Sequence, residues 1–262
     1  MGRVQDKVTI ITGAGENLGQ VIAQTFSREG APVVVAGRRP GPLEETVAAI
    51  ESEGGTALAV PTDVTDEPAC ERLVAATVER FGRVDVLVNN ASHAGDHHHI
   101  WKQTLENWNG TLAVALTGPM LLSREVLRQS MLERKSGAIV NIGSTGGITG
   151  VPTASHYAVA KAGLRILTKV TALEAGPHGI RVNEVIPGAI QTGLFYPYAE
   201  QAGARRGLSA EAVIDELSAG AALRKIALPE EVAAAALFFA SDEASAVTGQ
   251  ALVTDAGMVM PT

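Results

Sequence analysis

The sequence has few of the residues that mark secreted, membrane-embedded or polyanion-binding proteins. Its 262 residues include one cysteine, Cys70, which cannot form an internal disulfide. No apolar run is long enough to span a membrane or to form the core of a signal peptide. Lys and Arg number 21 against 28 Asp and Glu, which disfavours a nucleic-acid partner. We therefore expect a cytoplasmic protein that binds neither membranes nor nucleic acids.

Aromatic residues are also scarce, at 4% of the chain, whereas 46% of residues are hydrophobic and 28 are glycine. This composition indicates a large core of small and aliphatic side chains, typical of layered α/β folds. Neither a linker nor a repeat divides the sequence, so a single domain covering 1–262 is predicted.

Short aliphatic runs alternate with longer helical patterns along the first 190 residues. The predicted strands are 8–12, 33–36, 57–60, 84–89, 138–142, 181–186 and, near the end, 251–254. The predicted helices are 18–29, 42–53, 67–81, 105–133 and 155–175. Strict alternation predicts parallel strands joined by right-handed crossovers, with helices on both faces of a doubly wound sheet.

Residues 191–217 break this alternation. An aromatic cluster, Phe195, Tyr196 and Tyr198, precedes a polar helical pattern. A long excursion after a strand's carboxyl end is where a substrate lid would lie. A surface embellishment or an oligomer contact remains the alternative, and the aromatic side chains are candidates for either a pocket wall or internal packing.

A glycine-rich turn, TGAGENLG, follows the first predicted strand and leads into a helix. Gly13, Gly15 and Gly19 would let backbone amides approach a pyrophosphate at the helix N-terminus. The usual G-x-G-x-x-G spacing is not met, because Leu18 occupies the third glycine position. A purely structural turn is therefore the alternative interpretation.

Arg38 and Arg39 follow the second predicted strand, where an NAD-binding site usually offers a carboxylate to the ribose hydroxyls. A guanidinium is planar and always charged, which suits a 2′-phosphate. The pattern favours NADP(H) over NAD(H). Glu16 adds negative charge nearby, and solvated surface arginines are the alternative.

Ser144 follows a predicted strand, and Tyr157 and Lys161 lie four residues apart on the next long helix. Positions i and i+4 share one face of a helix. An ammonium beside a phenol stabilises the phenolate, and a serine hydroxyl can orient a substrate oxygen. This arrangement suits hydride transfer, in which a carbonyl oxygen gains a proton while its carbon gains a hydride.

Over nearly its whole length the chain resembles the classical short-chain dehydrogenase/reductase (SDR) family. The shared elements are Thr12-Gly13 with Gly19, Asp63-Val64, Asn89-Asn90-Ala91, Ser144, Tyr157-x-x-x-Lys161, Pro187-Gly188 with Thr192, Thr248-Gly249-Gln250 and Asp255-x-Gly257. The resemblance implies a single Rossmann-like domain with a seven-stranded parallel sheet. It also implies an NAD(P)-dependent oxidoreductase that interconverts a secondary alcohol and a ketone, assembled as a homotetramer or homodimer through its long helices.

The resemblance further implies residue roles. Tyr157 would be the acid/base, Lys161 would hold the nicotinamide ribose and favour the phenolate, and Ser144 would orient the substrate. The implied cofactor-binding residues are Gly13, Asn17, Leu18, Gly19, Arg38, Arg39, Asp63, Val64, Asn90, Ala91, Tyr157, Lys161, Pro187, Gly188, Ile190 and Thr192. Two alternatives stay open: reduction of a 3-oxoacyl chain, and a catalytically weak NADP(H)-binding regulator.

Three positions depart from the family pattern. Asn17 replaces the middle glycine of T-G-x-x-x-G-x-G, a change that asparagine's tolerance of left-handed backbone angles makes acceptable. Ser92 replaces the glycine of N-N-A-G. Ala115 stands where an asparagine normally holds a relay water, so slower or rerouted proton exchange is predicted. Thr111, Thr117 or a rearranged water chain are the candidate substitutes.

The run Asp96-His97-His98-His99 contains residue types that bind metals. Adjacent loop residues rarely converge on one ion, and a spaced second cluster is lacking, so no metal site is predicted. A wall of the substrate pocket and a solvated or oligomer-facing loop are the remaining interpretations.

Overall fold

The computed structural model describes residues 2–193 and 195–260, which contain one seven-stranded sheet. Its strands are β1 (Thr9–Thr12), β2 (Val33–Gly37), β3 (Ala57–Pro61), β4 (Val86–Asn89), β5 (Gly137–Ile142), β6 (Ile180–Pro187) and β7 (Ala251–Thr254). All neighbouring pairs are parallel, in the order β3-β2-β1-β4-β5-β6-β7. The prediction of a doubly wound, Rossmann-like sheet is confirmed. The strand order reverses between β1 and β4, which is where such sheets bind ligands.

Eleven α-helical segments accompany the strands in the described residues. They are α1 (Asn17–Arg28), α2 (Pro40–Ser52), α3 (Glu67–Phe81), α4 (Leu105–Leu112), α5 (Gly118–Val126), α6 (Leu132–Arg134), α7 (Gly146–Thr149), α8 (Ser155–Ala175), α9 (Phe195–Ala204), α10 (Ala210–Gly220) and α11 (Pro229–Ala240). Among them, no helix combines the length and apolar character needed to cross a membrane.

The predicted helix 105–133 is interrupted by two π-helical turns, Ala113–Thr117 and Leu127–Met131. Proline explains the first interruption. Pro119 has no amide hydrogen to donate four residues back, and the Gly118 N–H bonds instead to the carbonyl of Ala113, five residues back. Ala115 lies inside this turn and is fully buried.

Both faces of the sheet are covered by apolar layers. Alternate strand residues point to opposite layers: Ile11 packs with Phe26 of α1 and Leu237 of α11, whereas Ile10 packs with Leu73 of α3 and Val126 of α5. Burial on both sides explains why the strands read as continuous apolar runs.

The excursion at 191–217 forms α9 and most of α10, apart from Leu194, which lies outside the described residues. These helices share a small apolar cluster of their own, centred on Ala199, Ala210 and Val213. Their packing is therefore largely local, as expected for an appendage attached to a rigid sheet.

Candidate active site

The glycine turn joins β1 to α1 and is fastened to the end of β4. The Thr12 hydroxyl oxygen accepts hydrogen bonds from the backbone N–H groups of Asn90 (3.0 Å) and Ala91 (2.9 Å). The Asn90 side chain donates to the carbonyls of Thr12 and Gly13. Gly13 has φ +63°, and a Cβ on Gly19 would lie 2.1 Å from the Gly13 oxygen, so both positions require glycine.

Asn17, the departure from the glycine pattern, adopts φ +52°. Its backbone is therefore left-handed, the conformation that asparagine tolerates best after glycine. Helix α1 begins here without a side-chain cap on its first amides. Uncapped N–H groups at a helix start, together with the helix dipole, form a site for a phosphate group.

The two arginines after β2 have different surroundings. Arg39 forms an ion pair with Glu16 of the glycine turn, with Nη2 and Oε2 2.6 Å apart. Arg38 is exposed and acts on Asp63 across the gap to the end of β3. The pKa of the Asp63 carboxyl lies below its usual range, chiefly because the Thr65 backbone N–H donates to it at 2.9 Å, with a smaller contribution from the Arg38 charge.

A cleft of about 610 Å³ opens at the point where the strand order reverses, and we call it the switch-point cleft. Ten of the predicted cofactor-binding residues line it: Gly13, Asn17, Leu18, Gly19, Arg38, Arg39, Asp63, Val64, Asn90 and Ala91. Gly15, Glu16 and Ser92 line it as well. The cleft thus combines a helix N-terminus, two arginines and two carboxylates, a set of polar groups that fits a dinucleotide.

Helix α8 carries Tyr157 and Lys161 on the face that meets the end of β5. Lys161 is 3% exposed, and its Nζ donates to the Ile142 carbonyl at 2.7 Å. The same Nζ lies 5.7 Å from the centroid of the Tyr157 ring. The ammonium is therefore held in place by the last residue of β5, beside the phenol.

Ser144 lies two residues beyond β5 and on the same side as Tyr157. A Cβ on Gly146 would lie 3.4 Å from Ser144 Oγ and 3.7 Å from Tyr157 Cε1, so both side chains border the space that this glycine leaves open. Ser144 Oγ accepts a hydrogen bond from the Gly146 N–H at 3.1 Å. This acceptor role leaves the hydroxyl proton free to donate.

The predicted segment 187–192, which begins at the last residue of β6, lies next to the loop that follows β5 but does not line the switch-point cleft. The predicted cofactor-binding residues of this segment are Pro187, Gly188, Ile190 and Thr192. The Pro187 carbonyl accepts from the Thr145 N–H at 2.9 Å. A Cβ on Gly193 would lie 3.3 Å from Asn17 Oδ1, which links this segment to the glycine turn. Ser144, Tyr157 and Lys161 also lie outside the cleft lining.

The histidine loop after β4 packs against the segment that precedes Tyr157. The His98 N–H donates to the Thr153 carbonyl at 2.8 Å, and buried His156 Nε2 lies 2.7 Å from the Ala94 oxygen. Burial lowers the pKa of His97, and the Arg205 charge adds to this effect. Within residues 2–193 and 195–260, no three His, Cys, Asp or Glu side chains form a metal-binding group.

The three aromatic residues of the excursion differ in exposure and in their contacts. Phe195 is buried, whereas Tyr196 and Tyr198 are half exposed. The Tyr196 hydroxyl donates to Glu211 Oε1 at 2.7 Å, which ties α9 to α10. Trp101 stacks on His99 at the protein surface, with ring centroids 4.5 Å apart.

Sequence reasoning missed a buried ionisable side chain next to Ser144. Glu184 of β6 is 1% exposed and lies against Gly143, between Ile142 and Ser144. The available signal was an acidic residue inside a predicted buried strand, where a charge is costly.

Comparison with known proteins identifies the family of this chain. Residues 13–259 match a family described as Enoyl-(Acyl carrier protein) reductase. A short-chain dehydrogenase/reductase of Armillaria gallica is 35% identical over 97% of both chains. A 3-oxoacyl-[acyl-carrier-protein] reductase of Thermotoga maritima is 34% identical over 98% of this chain and 100% of its own.

Solved structures give the same result. An actinorhodin polyketide ketoreductase variant with NADPH is 36% identical, with a TM-score of 0.93 over 98% of this chain and 99% of its own. Levodione reductase is 34% identical, with a TM-score of 0.89 over 97% of each chain. Full-length similarity at these identities extends beyond the fold to the family. The protein therefore belongs to the short-chain dehydrogenase/reductase family, and it is an oxidoreductase acting on CH–OH or keto groups.

Proposed function

We propose that this protein interconverts a secondary alcohol and a ketone, with NADP(H) preferred over NAD(H), and that Ser144, Tyr157 and Lys161 carry out the proton chemistry. The observation that carries the proposal is the meeting of the three side chains beside the Ile142–Gly146 turn. Each has the chemistry that its role requires: a donor hydroxyl, a phenol and a buried ammonium.

The switch-point cleft would hold the dinucleotide. The start of α1 and its glycines suit the pyrophosphate, Asp63 and Val64 suit the adenine, and Arg38 suits a 2′-phosphate. Tyr157, Lys161 and the residues Pro187, Gly188, Ile190 and Thr192 would surround the nicotinamide end. When bound, the cofactor supplies or accepts the hydride.

In the reducing direction the Ser144 hydroxyl donates to the carbonyl oxygen of the substrate and orients it. The Tyr157 phenol transfers its proton to that oxygen as the carbon gains the hydride, which leaves a phenolate. Lys161 balances the phenolate charge, because its ammonium is fixed by the Ile142 carbonyl and retains further N–H donors. Solvent then returns the proton to Tyr157.

Residues 191–217 are proposed as a lid over the substrate. Their attachment supports this, because Gly193 lies beside Asn17 and Arg205 acts on His97 of the loop next to Tyr157.

We further propose a cytoplasmic homotetramer or homodimer. Cys70 is buried, and burial raises the pKa of its thiol to about 11, which disfavours the thiolate that disulfide exchange requires.

A second candidate substrate class is a 3-oxoacyl thioester, supported by the name of the Thermotoga maritima relative. The test follows the absorbance of NADPH across cyclic ketones, aliphatic ketones and 3-oxoacyl thioesters. Wild type should turn over at least one class. Tyr157→Phe, which keeps the ring and removes the hydroxyl, should lose at least about a hundredfold in kcat, with a much smaller change in its NADPH Kd. Turnover that survives Tyr157→Phe contradicts the mechanism, and cofactor binding without turnover of any substrate favours a regulator.

A further inference from the structure

Glu184 is a buried carboxyl that the proposed chemistry does not use. It lies near the carboxyl end of β6, in register with Asn141 of β5 and Ala251 of β7. The residue is 1% exposed. Within the described residues its Oε2 has no hydrogen-bond partner, although it is buried. Burial of a carboxyl with an unpartnered oxygen destabilises the folded state, which indicates that Glu184 has a functional role.

The position of Glu184 connects it with the site. A Cβ on Gly143 would lie 2.2 Å from Glu184 Oε1, so the carboxyl occupies the space that this glycine leaves. Gly143 is flanked by Ile142, whose carbonyl anchors the Lys161 ammonium, and by Ser144. The carboxyl therefore supports the turn that holds both polar groups.

The charges acting on Glu184 come from helix α8. They belong to Arg165, Lys161 and Lys169, in decreasing order of effect. Strands β5 and β7, which flank β6, contribute no titratable side chain. Burial outweighs the three cations and raises the pKa of Glu184 to about 7. The carboxyl thus changes charge in the pH range where the enzyme would work.

From this placement we infer that Glu184 is a positioning residue whose charge tunes the Lys161–Tyr157 pair. This inference rests on the proposed function. A protonated Glu184 leaves the Lys161 ammonium to act fully on the phenol. An ionised Glu184 offsets part of the ammonium's effect, so the phenolate that alcohol oxidation requires forms less readily.

The test compares wild type with Glu184→Gln, which keeps the shape and removes the ionisation. In the oxidation direction, the acid limb of the kcat/KM profile should move to lower pH by about 0.5–1 unit in Glu184→Gln. Glu184→Asp keeps an ionisable carboxyl, so the acid limb of its kcat/KM profile should again lie at higher pH than in Glu184→Gln. Glu174→Gln removes an exposed carboxyl of helix α8, the helix that carries the three cations, and should leave the profile unchanged. An unchanged profile in folded Glu184→Gln overturns the inference.

A measurement without turnover separates this inference from the proposed function. Wild-type protein labelled with ¹³C at glutamate carboxyls is titrated from pH 5 to 9, and the Glu184 signal is assigned by its loss in Glu184→Asp. A midpoint near 7 that shifts in Lys161→Met supports the coupling. The inference is overturned if the Glu184 carboxyl stays ionised from pH 5 to 9, or if its midpoint is unchanged in Lys161→Met. Either result stands even if Tyr157→Phe loses activity as proposed.

Discussion

Arg39 and Glu16 form an ion pair at the rim of the switch-point cleft, with Nη2 and Oε2 2.6 Å apart. Both side chains are substantially exposed, so the pair itself contributes little to stability. Its consequence is electrostatic, because a carboxylate of the glycine turn offsets one of the two arginine charges. Arg38 is therefore the stronger candidate for a phosphate contact. The sequence pattern alone does not distinguish Arg38 from Arg39.

Arg38→Ala should weaken NADPH binding by roughly 10- to 100-fold, as expected for loss of a charge-assisted contact, and change NADH binding less than about threefold. Arg39→Ala, the matched control, should have a smaller effect. Both dissociation constants are measured by fluorescence titration at fixed ionic strength. Equal losses for NADH and NADPH in Arg38→Ala contradict the cofactor assignment.

Glu16→Gln tests the same relationship from the other side. Removing the carboxylate frees Arg39 and removes a charge that repels phosphate, so NADPH should bind several-fold more tightly. The gain should shrink as salt is raised from 50 to 500 mM, because exposed charges are screened. A gain that is independent of salt argues against this electrostatic origin.

Gly19→Ala should destabilise the fold by about 1–3 kcal/mol and abolish measurable cofactor binding. The added Cβ would lie 2.1 Å from the Gly13 carbonyl oxygen, which is backbone and cannot move aside without distorting the turn. Gly41→Ala is the control, because a Cβ there meets nothing within 4 Å. Chemical denaturation measures the loss of stability, and NADPH titration measures the loss of binding. Wild-type stability and wild-type NADPH affinity in Gly19→Ala would contradict the proposed role of the turn in cofactor binding.

Local patterns predicted the layers of this fold but not its tertiary contacts. Apolar runs such as that of β2 identify strands, because burial on both faces permits only such residues. The first of the two interruptions in helix 105–133 is explained by Pro119, a signal that was present in the sequence. The contact between Glu184 and Gly143 depends on the register of β6 against β5, which no local pattern contains. The Arg39–Glu16 pair likewise joins residues from separate turns.

Ala115→Asn should speed proton exchange, raising kcat and altering its pH dependence, if the missing asparagine slows the relay. Ala115 is fully buried in the π-helical turn. Of the two hydroxyls that offer a substitute, Thr117 is exposed, whereas Thr111 is buried with its Oγ1 unpartnered in the described residues. Thr111→Val in the wild-type background should therefore lower kcat. Unchanged rate and pH profile in Ala115→Asn disprove the prediction.

Helix α8 also carries an exposed apolar stripe, formed by Val159, Ile166, Val170 and Leu173. The spacing places these side chains on one face of the helix, which fits the proposed subunit contact. Leu173→Glu should shift the protein toward monomers in analytical ultracentrifugation. Leu223→Glu, at an exposed leucine outside α8, is the control. An unchanged oligomer in Leu173→Glu contradicts the proposed interface.

The ionisation of Glu184 should make stability depend on pH. Its pKa rises from 4.5 to about 7 on folding, so between these values the folded state holds a proton that the unfolded state has released. The contribution of this residue to the free energy of unfolding therefore falls as pH rises through this window and is constant above it. The full effect is up to about 3 kcal/mol.

Glu184→Gln removes this dependence. Its stability relative to wild type should be greater at pH 8 than at pH 5, by on the order of 2 kcal/mol, because most of the titration lies between these values. Urea unfolding at both pH values measures the difference, with Glu174→Gln as the control for loss of a carboxyl. Equal differences at pH 5 and pH 8 would show that Glu184 is ionised throughout, and its charge could then not vary beside Lys161.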